Sequence, residues 1–218
     1  MFQCLRVLVC IVCFACGVRA QKAHIKQMET LEDFIAHSKI TDWEVVQQKD
    51  GVVVSYRDLE FNDTIITREL CVKFKTQSTV EKVYELVVNP NKITDWNDAI
   101  KSMKTLKQTD SYWIAHSIYN IPFPLTKQDL VAKYWLERTP ESLIIHVKAV
   151  PDYIPEVKGL AREAYNLSQW TFTPQQSGFI DVEFTGITLS DSKIPRFIKD
   201  PIIQRKLLHS FLTLKNLL

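Results

Sequence analysis

The stretch Ile121-Pro122-Phe123-Pro124-Leu125-Thr126-Lys127-Gln128-Asp129-Leu130-Val131 decides how this chain is read. Two prolines around a phenylalanine cannot continue a ladder, so this segment is an irregular loop between two strands. From Ile121 to Leu125 its side chains are nevertheless apolar. A loop of that kind needs a hydrophobic surface to touch, which a membrane or the entrance of a ligand site supplies.

Outward from the loop, periodicity gives the elements. Strand-like runs occupy roughly 100–107, 111–119, 128–138, 142–149, 164–173 and 179–188. Hairpin-length turns such as Gln108-Thr109-Asp110 and Thr139-Pro140-Glu141 join them, so the sheet is expected to be antiparallel. Upstream, Met28, Leu31, Phe34 and Ile35 recur at helical spacing up to His37. Trp43 to Val46 and Val52 to Tyr56 flank Lys49-Asp50-Gly51 as a hairpin, and Ile65 to Phe74 forms a third strand. Ser78, with Glu81 three residues on, reads as a capping box for a helix with Val80, Val83, Tyr84, Val87 and Val88 on its apolar face; Asn89-Pro90 stops it. From Ile194 to Leu218 one broad face carries Ile194, Phe197, Ile198, Ile202, Ile203, Leu207, Leu208, Phe211, Leu214 and Leu218, a long helix kinked or restarted at Pro201.

The first twenty residues stand apart. Arg6 precedes an apolar run from Val7 to Ala15, too short to span a bilayer, and Val18-Arg19-Ala20 offers small residues for cleavage. Residues 1–20 therefore read as a secretory signal peptide and 21–218 as one exported domain, periplasmic or secreted. Cys4, Cys10, Cys13 and Cys16 lie in the leader, which leaves Cys71 alone and no internal disulfide. Ala15 before Cys16 satisfies one requirement of bacterial lipoprotein processing, making Cys16 a candidate lipid anchor. The 218-residue chain holds 27 Lys+Arg and 25 Asp+Glu. Losing Arg6 and Arg19 brings the remainder to balance. With its cations spread singly, the domain has no electrostatic footprint for nucleic acid. Its glycines, Gly51, Gly159, Gly178 and Gly186, are too few and too scattered for a phosphate loop.

A curved antiparallel sheet has one concave face to cover, and an amphipathic terminal helix needs an apolar surface. Each is expected to bury the other. Trp96-Asn97, the Pro-Phe-Pro-Leu…Gln128-Asp129 segment, Trp170…Pro174 and Ile194-Pro195 before a terminal helix resemble, in order and spacing, the START family of steroidogenic-acute-regulatory-related lipid-transfer domains. The resemblance covers about residues 40–218. It implies an α+β helix-grip fold, a curved antiparallel sheet wrapped around a long C-terminal helix, with an apolar tunnel for one lipid or sterol. This chain departs from the family at Gln128, where an arginine usually precedes the aspartate. It departs again at Ser117 and Tyr134, where sterol-binding members carry a charged pair. General hydrophobic binding is untouched by those changes, since burying a sixteen-carbon chain supplies on the order of 10 kcal/mol before ordering costs.

Strand alternation turns Trp113, Ala115, Ser117 and Tyr119 to one face, with Leu130, Ala132, Tyr134 and Leu136 beside them on the next strand. Leu143, Ile145 and Val147 extend that surface, and Trp170, Phe172, Val182 and Phe184 close its far side. The residues expected to touch a ligand are Trp113, Ala115, Ser117, Tyr119, Phe123, Ala132, Tyr134, Ile145, Trp170 and Phe184 from the sheet side, with Ile203, Leu207 and Phe211 from the helix. The same residues can equally form ordinary core, and Ser117 and Tyr134 can bond each other with no ligand between them. Tyr119 to Thr126 and Val150 to Pro155 are candidate gates and points of transient membrane contact.

A helix-grip enzyme, cyclase- or hydrolase-like, is the alternative, and an interaction module with a filled core is a third reading. His116 and His146 fall on strands separated by one other, about 10 Å apart, too far to share a metal. Alternation sets Cys71 beside Glu69 and Lys73 as a quiet thiol. No Gly-x-Ser-x-Gly elbow occurs, and neither metal nor cofactor is expected. Asn62-Asp63-Thr64 and Asn166-Leu167-Ser168 match the glycosylation pattern.

Overall fold

The computed structural model describes residues 28–61, 65–123, 125–176, 178–189 and 195–218. The leader with Cys16, the Asn62 to Thr64 motif, Pro124 and Ile194 lie outside these residues. In chain order the elements are α1 (Leu31–Ala36), β1 (Ser38–Ile40), β2 (Glu44–Lys49), β3 (Val52–Phe61), β4 (Ile65–Thr76), α2 (Val80–Val88), α3 (Ile93–Trp96), β5 (Ile100–Gln108), β6 (Tyr112–Tyr119), β7 (Gln128–Arg138), β8 (Leu143–Ala149), a 3-10 turn (Pro151–Tyr153), β9 (Ala161–Arg162), β10 (Asn166–Pro174), β11 (Ile180–Thr188) and α4 (Arg196–Leu217).

The strands make one curved 11-stranded sheet in the order β1-β3-β4-β11-β10-β8-β7-β6-β5, with β2 added on β3 and β9 on β7. Every pairing is antiparallel except the short β9 on β7. The hairpin reading therefore holds: Asp50 and Gly51 take positive φ of 47° and 77° between β2 and β3, the conformation such a turn demands. Three short elements carry no periodic signal in the sequence, namely β1, α3 and β9. At three, four and two residues they are too brief to show a period.

Two corrections concern the helices. The cap of α2 is Thr79, whose side chain accepts the Lys82 N–H at 3.2 Å, while the Ser78 hydroxyl is buried without a partner among the described residues. Shifting the cap by one residue moves Glu81 off the capping-box position and leaves it as an acidic first-turn residue beside the positive end of the helix dipole. Helix α4 runs through Pro201 as one helix of 22 residues, so it is not restarted there. The missing Pro201 N–H releases the carbonyl four residues back, at Phe197, close to the helix start.

Alternation gives the sheet two faces. The concave face carries Val54, Val72, Phe74, Trp113, Ala115, Ile145, Trp170, Phe172 and Val182, and it packs with Phe211 and Leu214 of α4 into the largest core cluster. The opposite face is covered at one end by α1, where Leu31 and Phe34 pack with Leu59, Phe61, Leu167 and Ile187. Phe34 and Phe61 stack with ring centroids 5.2 Å apart.

Candidate functional site in the concave face

The two aromatic motifs of the sequence meet under the last helix. Trp96 is 2% exposed, and its indole N–H donates to the Leu86 carbonyl at 2.8 Å, satisfying the one polar atom that burial would strand. Its ring stands edge-on to Trp170 at 5.9 Å and to Phe211 at 6.0 Å, while Trp170 and Phe211 stack at 5.2 Å. Phe184 adds contacts to both, at 4.9 and 5.9 Å. Asn97 and Asp98 then fix the helix, because Ser210 donates to Asp98 Oδ1 at 2.8 Å and Lys206 to the Asp98 carbonyl at 3.2 Å. Trp170, Phe184, Phe211 and Ile145 are thus part of a packed aromatic grip, with Leu207 against its edge.

Further along β6 to β8 the concave wall changes character. Leu130, Ala132, Val147 and Ala149 form a separate small-residue cluster flanked by Tyr119 and Tyr134. Register sets Ser117 opposite Leu130 and Trp113 opposite Tyr134, and the Trp113 and Tyr134 rings stack at 5.2 Å. The Ser117 hydroxyl, buried at 2% exposure, is hydrogen-bonded with the Tyr134 phenol. Burial pushes the Tyr134 pKa up to about 12, and burial together with the charge of Glu163 raises that of Tyr119 above the phenol range. Glu163, buried at the end of β9, is a polar residue near this wall that no sequence pattern signalled.

Beneath the quoted loop the structure explains Asp129. Its carboxylate is fully buried and accepts two bonds from Arg162, at 3.0 Å each, and one contact of 2.7 Å from His116 Nε2. Burial alone would raise its pKa; the Arg162 and His116 hydrogen bonds outweigh that and hold it below the ordinary carboxylate value. The arginine expected beside this aspartate comes from β9 rather than from position 128. Arg162 also donates to the carbonyls of Pro151, Ile154 and Pro155. That clamps the 150–155 segment to the outer side of β7, where Val150 N–H bonds the Val131 carbonyl at 2.8 Å.

The remaining predicted positions scatter. Phe123 is 95% exposed at the loop tip. In α4, Ile203 is 37% exposed, as are Phe197 at 79% and Ile198 at 39%, whereas Ser210, Phe211 and Leu214 are buried. The helix start is held by charge instead: Arg68 pairs with Asp58 and Asp200, and Arg196 with Asp58 at 3.3 Å. A cavity of about 400 Å³ lies at the β8–β10–β11 end of the sheet. Its walls include Met28, Lys148, Val150 to Tyr153, Leu167 and Ile187, and none of the residues predicted to touch a ligand.

The histidines lie apart, with β7 between their strands; His116 bonds Asp129 and His146 bonds Glu137 at 2.7 Å. No group of three His, Cys, Asp or Glu side chains is arranged for metal among the described residues. Burial pushes the Cys71 thiol up to about 12, which keeps it protonated and unreactive. Asn166 sits within β10, its side-chain carbonyl accepting from Ser168 at 3.1 Å.

Comparison with solved structures places this architecture. A STAR-related lipid transfer protein from Xanthomonas axonopodis superposes with a TM-score of 0.71 at 21% identity, covering 81% of this chain and 98% of that one. The chain has the START fold. Human StAR-related lipid transfer protein 5 superposes with a TM-score of 0.69 at 16% identity, over 80% of this chain and 85% of that one. An uncharacterized protein of Pseudomonas aeruginosa is 29% identical over 163 residues, 74% of this chain and 79% of its own length. No protein-family model matches. Within the START fold, Trp96, Trp170 and Phe211 are the residues by which sheet and helix grip each other.

Proposed function

We propose that this protein binds and transfers one lipid or other apolar molecule, held between the concave wall of β6 to β8 and the N-terminal half of α4. The observation that carries this reading is the asymmetry of α4 on a START fold. Its C-terminal half is packed tight against aromatics, while its N-terminal half leaves Phe197, Ile198 and Ile203 exposed. The wall of Leu130, Ala132, Val147 and Ala149, flanked by Tyr119 and Tyr134, is apolar and suited to an acyl chain or ring system. The Ser117–Tyr134 pair supplies neutral hydroxyls for a head group in place of an ion pair.

Export follows the leader reading: residues 1–20 are removed and 21–218 act in the periplasm or outside the cell, free or anchored through Cys16. The role is that of a carrier and not of a catalyst, since the buried thiol and the two carboxylate-bonded histidines offer no activated nucleophile or base toward the concave wall. Transient membrane contact through 119–126 and 150–155 fits Phe123 at 95% and Tyr153 at 45% exposure.

Native mass spectrometry of gently purified full-length protein tests the reading. The expected spectrum shows one bound lipid per chain, and Ala132→Phe, which fills the wall, loses it while keeping a cooperative unfolding transition. Protein that is ligand-free and takes up nothing from mixed-lipid vesicles overturns the proposal.

A further inference from the structure

Lysines scattered singly along the sequence are gathered by the fold. Register sets Lys104 opposite His116, Lys107 opposite Ile114 and Lys133 opposite Ile114 from the other side. All three therefore project from the outer face of the sheet, away from α4. The ammonium groups of Lys107 and Lys133 flank the Tyr112 ring at 5.2 and 5.3 Å, and Lys133 also lies 5.2 Å from the Trp135 ring. Trp135 in turn stacks on His146 at 5.1 Å.

None of the three lysines has a carboxylate partner among the described residues. Three acids around this face are already engaged, Glu137 by His146, Asp129 by Arg162 and Glu29 by Lys148. Lysines on an edge strand commonly serve only to block edge-to-edge pairing. That accounts for Lys104 and Lys107 on β5, but Lys133 belongs to the interior strand β7.

We propose that this face, formed by Lys104, Lys107, Lys133, Tyr112 and Trp135, docks the protein on a bilayer bearing anionic lipids. Unpaired cations are drawn to an anionic leaflet, and amphipathic Tyr and Trp rings suit the head-group layer. The choice of a bilayer as partner rests on the carrier reading; the charge and ring geometry do not.

Flotation of the full-length protein with vesicles tests it. Phosphatidylcholine vesicles containing phosphatidylserine are expected to bind the protein, pure phosphatidylcholine vesicles much less, and added salt to weaken the binding. The triple variant K104Q/K107Q/K133Q should bind on the order of a hundredfold more weakly, from about fivefold per lysine. Its bound lipid in native mass spectra and its unfolding midpoint should stay as in the wild type. Wild-type binding by the triple variant, equal binding to neutral vesicles, or preference for a single-stranded oligonucleotide over the anionic vesicles overturns the proposal. Loss of vesicle binding in Phe123→Ser alone, with the lysine variant unaffected, assigns docking to the loop and also overturns it. Lysine-dependent vesicle binding by a protein that carries no lipid leaves the docking face standing and removes the carrier reading.

Discussion

The two halves of α4 are built from similar residues and do opposite things. Toward its C-terminus, Phe211 and Leu214 sit among Trp96, Trp170 and Phe184, and polar bonds secure that end: Ser210 to Asp98, Lys215 Nζ to the Asp50 carbonyl at 2.7 Å, and Lys82 Nζ to the Leu218 carbonyl at 2.9 Å. Toward its N-terminus, Phe197, Ile198 and Ile203 stay exposed, and the helix is held by ion pairs from Arg68 and Arg196 and by an Arg196 bond to the Ile66 carbonyl. Packing is dense and short-ranged, so the buried half is expected to be stiff. Partly exposed ion pairs are weaker and release a helix end at low cost. The contrast separates stability from access along a single element.

The strongest test of the contrast is Phe211→Ala, which empties the centre of the grip. It should lower unfolding free energy by about 4 kcal/mol in urea titrations, as aromatic truncations in cores do. A loss near zero would mean that the helix is not gripped. Next comes the sheet-side anchor below the quoted loop. Asp129→Ala leaves Arg162 buried without its carboxylate and should cost about 3 kcal/mol. Because the Asp129 pKa is lower folded than unfolded, its contribution is complete above the unfolded value near 4 and fades as pH falls through the folded value. Unfolding midpoints should therefore drop on acidification below about pH 4, and less steeply in the variant.

Smaller effects probe the open half. Arg68→Ala, removing a half-buried partner of Asp58 and Asp200, should cost about 1 kcal/mol and less at high salt. Amide hydrogen exchange in the wild type should be faster over 200–206 than over 209–216, and Arg68→Ala should widen that difference. The smallest change is expected for Phe197→Ser, within about 0.5 kcal/mol of wild type in stability, while lipid uptake slows measurably. Equal protection along α4, or a large stability loss in Phe197→Ser, would erase the distinction between the halves.

Much of this was legible from residues alone. Alternation located the long strands, because a period of 2 survives along them; the apolar residues of 194–218 located α4, but they do not share one face, since Phe197, Ile198 and Ile203 are exposed while Phe211 and Leu214 are buried. The motif residues Trp96, Asn97, Trp170 and Asp129 were correctly singled out, though not their partners. Trp96 meets Phe211 and Asp129 meets Arg162 across more than thirty residues of chain, a distance at which local pattern carries no information. Thr79 displaced Ser78 as cap for a reason equally invisible in sequence: two adjacent hydroxyls compete, and the backbone path chooses. The clustering of Lys104, Lys107 and Lys133 was likewise hidden, since cations of β5 and β7 come together across β6 only after pairing.

Sequence by itself determined the alternation of the strands and the presence of a long terminal helix, because these depend on neighbours within a few residues. Tertiary structure alone decided that Arg162 serves Asp129, that one half of α4 is buried and the other open, and that lysines far apart in the chain share one face. Those outcomes depend on strand register and on which surfaces remain after packing, and both are fixed only when the whole sheet has closed on its helix.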